Sequence, residues 1–176
     1  KKINFLRNGK SYISGLKINK LSYFKKNKSF VSNNYKLTTE ANIIIIALPT
    51  PLKKNYTPDL RYINSCISEL RKFILPNQTV ILESTVYPGA TDKYFKKLLK
   101  NKKLVPGKDI FLGFSPEREN PGDPLFTYNI TPKVISGQTK LCEKIIKEIY
   151  KHIVKKVFVA ESIKVAELSK LLENTY

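Results

Sequence analysis

Ala41-Asn-Ile-Ile-Ile-Ile-Ala-Leu48, closed by Pro49-Thr50-Pro51, is a continuous apolar run of strand length ended by two prolines. Such a run fits a strand buried on both faces of a parallel sheet, because a half-exposed strand would alternate apolar and polar residues. Working outward, Leu60 to Phe73 places apolar residues at Leu60, Ile63, Ile67, Leu70 and Ile74, the spacing of a helix, with Asp59 as a candidate N-cap after Pro58. The alternation then repeats. Strands are expected at Thr79–Leu82, Ile110–Phe114, Lys133–Ser136 and Lys156–Val159, and helices at Thr91–Leu99, Leu141–Ile149 and from Ile163 onward. Strand and helix in turn, with short connections, predict a doubly wound α/β domain with a parallel sheet. The first forty residues are less regular, with a weak helix over Leu16–Phe24 and a short strand at Ser29–Val31.

Composition allows one domain with a hydrophobic core plus an appendage: the chain has 176 residues, 41% of them apolar. No apolar run reaches the roughly 18 residues of a membrane helix, and no signal-peptide block follows the charged N-terminus, so a cytoplasmic protein is expected. Two cysteines, Cys66 and Cys142, and one histidine, His152, are too few for a disulfide framework or a structural zinc site. The formal charge of +18 raises the question of a polyanionic partner. Its distribution argues for a solvated surface instead. Arginine appears only at Arg7, Arg61, Arg71 and Arg118, and the lysines are spread along the chain in short runs where helix ends and turns are expected. Bidentate phosphate and base recognition favours arginine.

The ligands of parallel α/β sheets lie outside the carboxyl ends of the strands. Three such places hold unusual sequence. Thr50, between two prolines, is a hydroxyl on a fixed backbone, or part of a simple strand terminator. Ser84 and Thr85, in Glu83-Ser-Thr-Val-Tyr-Pro-Gly89, offer two hydroxyls to a ligand, or a cap to the helix starting near Thr91. Ser115-Pro-Glu-Arg-Glu-Asn-Pro-Gly-Asp123 sets Glu117, Arg118, Glu119 and Asp123 in a loop stiffened by proline, where charged groups suit water activation and anion recognition. On the last helix Lys170 and Asn174 share a face, and Glu167 or Glu173 would equally pair with Lys170 in an ordinary surface ion pair.

Taken together, Pro49-Thr50-Pro51, Glu83 to Gly89, Ser115 to Asp123 and Val165-Ala-Glu-Leu-Ser-Lys-Leu-Leu-Glu-Asn-Thr-Tyr176 resemble the UDP-glucose/GDP-mannose dehydrogenase family, from about Asn8 to the last residue. The form of the Ser-Pro-Glu-Arg segment is similar to the UDP-N-acetylhexosamine 6-dehydrogenase branch. The resemblance implies a Rossmann-like NAD-binding domain over residues 1–160 and the start of a long central dimerisation helix over 161–176. It also implies oxidation of C6 of a UDP-sugar to the uronic acid with two NAD, through a cysteine-bound intermediate, for surface polysaccharide synthesis. The implied roles are NAD contact for Thr50, Ser84, Thr85 and Glu119, ordering of the catalytic water for Thr85, and general acid/base chemistry for Glu117. Lys170 would stabilise the oxyanion with Asn174 as its hydrogen-bonding neighbour, and Glu117, Arg118, Glu119, Lys170 and Asn174 would contact the sugar substrate.

The resemblance further implies a homodimeric or larger parent, without nucleic-acid or membrane partners and without a metal. Nothing of the form Gly-x-Gly-x-x-Gly occurs in the sequence, and the last helix stops in mid-pattern. The family's glycine-rich loop is therefore expected before Lys1 and its nucleophilic cysteine after Tyr176, since Cys66 and Cys142 both lie in ordinary helical patterns. On that reading these 176 residues alone are inactive. The competing readings are a catalytically silent nucleotide-binding remnant and a basic nucleic-acid-binding domain.

Overall fold

The computed structural model of the chain describes residues 2–7, 31–117 and 131–173. Two units divide it, Lys1–Lys36 and Leu37–Tyr176. In the first, the described parts are the short helix α1 (Lys2–Arg7) and a turn in which Asn34 N donates to Ser32 Oγ and Lys36 N to Asn34 Oδ1. The helix expected over Leu16–Phe24 lies outside the described residues, as does most of the strand expected at Ser29–Val31.

The second unit is built on a five-stranded sheet in the spatial order β1 (Ile43–Ile46), β2 (Thr79–Leu82), β3 (Phe111–Phe114), β4 (Lys133–Gly137), β5 (Val157–Val159). Helix α2 (Arg61–Leu70) lies in sequence between β1 and β2, α3 (Ala90–Leu99) between β2 and β3, α4 (Lys140–Lys151) between β4 and β5, and α5 (Ile163–Glu173) after β5. Every element expected from Ala41 onward is therefore present. At α2 the Asp59 carboxylate does receive an amide of the first turn, Arg61 N at 3.1 Å, although the helix proper is preceded by Leu60.

Strands β1, β2 and β3 are parallel, with Ile46, Leu82 and Phe114 side by side at their carboxyl ends. Two details differ from a wholly parallel sheet of fully buried strands. β4 runs antiparallel to β3, pairing Gly113 with Gly137 and Phe114 with Ser136, and β5 follows β4 in parallel. An antiparallel neighbour needs no crossover to the far end of the sheet. The chain that leaves β3 at its carboxyl end thus re-enters the sheet at that same end, at Lys133. The second difference is in β1, where Ile44 and Ile46 are buried but Ile43 and Ile45 are each 43% exposed. β1 stands at the end of the strand order and has a described neighbour on one side only, whereas β2, inside the sheet, is buried at all four residues.

A core cluster of Ile81, Ile135, Ile146, Tyr150 and Val154 joins α4 to the sheet. Helix α4 is capped by Thr139, whose hydroxyl accepts from Cys142 N at 3.2 Å. Its close approach depends on the facing glycines. A Cβ on Gly113 would stand 2.1 Å from Ile146 Cδ1, and one on Gly137 would stand 2.2 Å from Glu143 N.

Candidate active site

The level carboxyl ends of β1, β2 and β3 bring three of the expected segments to one edge. Backbone bonds carry the strands' alignment into the loops: Glu83 N donates to Ile46 O at 2.9 Å, Ser115 N to Leu82 O at 3.0 Å, and Glu117 N to Glu83 O at 3.3 Å. Thr50, Thr85 and Glu117 are each partly exposed there. Ser84 is buried, and its hydroxyl is used within the protein, accepting from Leu48 N at 2.8 Å and donating to Ile46 O at 3.3 Å. It ties the end of β1 to the loop after β2. Neither Ser84 nor Thr85 caps the next helix, since that position belongs to Gly89, at φ 86°.

Antiparallel β4 adds a charged group that the sequence motifs do not announce. Lys133 Nζ lies 3.0 Å from Glu83 Oε1 and 3.2 Å from Glu117 Oε2, and 5.4 Å from the centre of the Tyr150 ring. Tyr150 Oη donates a short hydrogen bond to Glu83 Oε1. The lysine and Glu83 side chains are almost fully buried, while that of Glu117 is 41% exposed. An ammonium removed from water requires paired carboxylates. Here one comes from the core side and the other from the solvent side. The only sequence signal is a lysine opening a strand of the form Lys-Val-Ile-Ser, whose partner cannot be read without the strand order.

Lys170 lies on α5, partly exposed, one turn beyond Glu167. Glu167 is not a surface partner for Lys170. It is fully buried, and its two carboxylate oxygens accept Gly89 N at 2.5 Å and Thr91 N at 2.8 Å, closing the N-terminus of α3. Free amides at a helix start attract anions. In this chain that place is filled by its own carboxylate. Arg118, Glu119 and Asn174 lie outside the described residues. Cys142 is buried, with Leu112 N 3.4 Å and Thr139 Oγ1 3.2 Å from its sulfur, and Cys66 is a partly buried residue of α2.

Parallel strands with helical crossovers, a level carboxyl edge and hydroxyl and carboxylate groups along it define a dinucleotide-binding α/β domain of the dehydrogenase type. Residues 1–154 match the model of the UDP-glucose/GDP-mannose dehydrogenase family, NAD binding domain. The chain belongs to this family, whose cofactor is NAD. It is 42% identical to protein CapL of Staphylococcus aureus over 176 residues, which are 99% of this chain and 41% of that protein. It is 38% identical to the UDP-N-acetyl-D-glucosamine 6-dehydrogenase of Pseudomonas aeruginosa over 138 residues, 77% of this chain and 33% of that one. Among solved structures, the UDP-D-ManNAc dehydrogenase of Pyrococcus horikoshii superposes with a TM-score of 0.89 at 27% identity, covering 98% of this chain and 42% of that one. The chain thus spans about two fifths of the first of these relatives' length.

Proposed function

We propose that this chain is the NAD-binding part of an enzyme that oxidises C6 of a UDP-N-acetylhexosamine to the uronic acid for surface polysaccharide synthesis. The observation that carries the reading is the convergence of Thr50, Thr85 and Glu117 on one carboxyl edge, in a family whose relatives include UDP-N-acetylhexosamine dehydrogenases. NAD held there, by Thr50 and Thr85, would supply the hydride acceptor for the oxidations. The residues suit it: Thr50 and Thr85, both partly exposed, follow the strand ends and carry hydroxyls, and the family resemblance gives Glu119 as a further contact. Ser84 serves by holding the turn that presents Thr50. The buried Glu167 excludes the α3 N-terminus as the diphosphate site.

Glu117 is the acid/base of the hydrolytic step. Its carboxylate takes a proton from a water ordered by Thr85 as that water adds to the acyl carbon of the cysteine thioester; collapse of the adduct breaks the C–S bond and releases the acid, with the cysteine leaving as thiolate. Lys170 offers positive charge to the oxygen on which negative charge develops, and the family resemblance gives Asn174 as its hydrogen-bonding partner. Arg118 and Glu119 complete the contacts to the sugar nucleotide. Residues 161–176 begin the helix through which two copies associate, and residues 1–160 form the NAD-binding portion. Neither Cys66, within α2, nor Cys142, buried on α4, is assigned the covalent step.

The test is NADH formation by the product of the complete reading frame, supplied with UDP-N-acetylglucosamine or UDP-N-acetylmannosamine. Two NADH per sugar are expected, and Glu117→Gln should lower the rate about 100- to 10,000-fold. A folded protein that binds NAD but forms no NADH from either sugar would overturn the reading.

A further inference from the structure

We propose that Lys133 and Glu83 are positioning residues that set the basicity of Glu117 from opposite directions, the lysine lowering it and the buried carboxylate raising it. This rests on the reading of Glu117 as the acid/base, but its test reads only the titration of that carboxylate.

The geometry is that of one cation shared by two anions. Lys133 Nζ is 3.0 Å from Glu83 Oε1 and 3.2 Å from Glu117 Oε2. Glu83 is fixed from behind by the Tyr150 hydroxyl, and the Tyr150 ring stands beside the same ammonium. A lysine paired with Glu117 alone would favour the ionised carboxylate and leave a weak base. Glu83 changes the balance. It takes part of the ammonium's field and adds its own negative charge close to Glu117, because both carboxylates lie within 3.2 Å of the same nitrogen. The lysine nevertheless holds Glu117 in place, which a free surface glutamate would lack.

The arrangement depends on the reversal of β4. A parallel β4 would begin at the other end of the sheet and could not deliver its first residue to this edge. The titratable and charged groups described around Glu117 are Lys133 from β4, Glu83 from the loop after β2 and, behind Glu83, Tyr150 from α4.

The test is a direct titration of the Glu117 carboxylate in this chain by carbon-detected NMR, in the wild type and three variants. Glu83→Gln removes the like charge and should lower the Glu117 midpoint. Lys133→Met alone leaves Glu83 buried without a cation and threatens folding, so it is made together with Glu83→Gln. This double variant keeps a Tyr150 acceptor and buries no charge. Its Glu117 midpoint should lie above that of Glu83→Gln by about one pH unit, since a cation at this range is removed. Lys133→Arg should retain the wild-type order, above Glu83→Gln and below the double variant. A purely structural role predicts no such ordering. Midpoints that coincide in folded proteins, or an order with Glu83→Gln highest, would overturn the proposal. Because the readout needs neither sugar nor NAD, failure here leaves the dehydrogenase reading standing. Failure of that reading likewise leaves the titration order intact.

Discussion

Both carboxylate oxygens of Glu167 accept main-chain amides, from Gly89 and Thr91, at a point with no exposure to solvent. The first amides of a helix have no partner within the helix, and when buried each costs about 1–3 kcal/mol if left unmade. This side chain therefore fixes α5 to the loop after β2, and with it the placing of Lys170 one turn further along. Glu167→Ala should lower unfolding stability by roughly 3 kcal/mol, and Glu167→Gln by about 2 kcal/mol, because the amide keeps one acceptor and sets an N–H against the other donor. Urea unfolding reads this as a lower midpoint at unchanged slope. Variants within about 0.5 kcal/mol of wild type, the range of ordinary surface substitutions, would show that the two amides find water instead. Spacing alone presents Glu167 as a surface partner of Lys170. Its true partners lie more than seventy positions earlier in the chain, and no helical period encodes them.

At the scale of elements, α4 rests on β3 and β4 closely enough that two facing positions exclude a side chain. The ideal Cβ of Gly137 falls 2.2 Å from Glu143 N and 2.6 Å from Glu143 Cα, backbone atoms that yield only if the helix moves. Gly89 is the contrast, with φ 86° but its nearest neighbour, Lys164 Cε, at 3.8 Å. Overpacking typically costs 1–3 kcal/mol, and a left-handed residue with a Cβ about 1–2 kcal/mol. Gly137→Ala should therefore cost about 3 kcal/mol or more, and Gly89→Ala about 1 kcal/mol. Thermal unfolding of the two variants decides it, and equal losses would mean that α4 shifts freely. The elements themselves were legible because the apolar periods switch cleanly between strand and helix at Asp59, Thr91, Leu141 and Ile163. Their directions were not. Nothing in Lys133-Val-Ile-Ser-Gly137 states that the strand runs against Phe111–Phe114, and the Lys133 pairing with Glu83 and Glu117 follows from that direction alone. For the same reason Ile43 and Ile45 read as buried: four successive isoleucines say that a strand is apolar, and say nothing of its place at the end of the order.

Over the whole molecule, 32 lysines and arginines face 14 aspartates and glutamates, and the carboxylates that matter most to the fold are those with tightly held partners. Asp59 is held down to about 2 from its usual 3.8, first by the hydrogen bond from the Arg61 side chain and then by the Arg61 amide. A lowered native value means that the unfolded chain binds more protons between those limits. The contribution of Asp59 is thus complete above about pH 4 and is lost as pH falls toward 2. At the other limit, burial and the nearby Tyr87 push Tyr94 up to about 12, so stability falls as pH rises from 10 toward 12, where the unfolded phenol ionises first. Acid should do more damage than alkali, because neutralising carboxylates leaves the basic side chains unopposed and the self-repulsion of a +18 chain grows. Salt screens that repulsion over a Debye length of about 30 Å at 0.01 M and about 10 Å at 0.1 M. Circular dichroism between pH 5 and 2 should accordingly show the acid midpoint moving to lower pH as salt is raised over that range, and Asp59→Asn should destabilise at pH 6 but have little effect near pH 2. An acid midpoint indifferent to salt would place the loss in individual ion pairs and not in net charge. An Asp59→Asn effect that persisted near pH 2 would show that the carboxylate's packing, and not its charge, secures the start of α2.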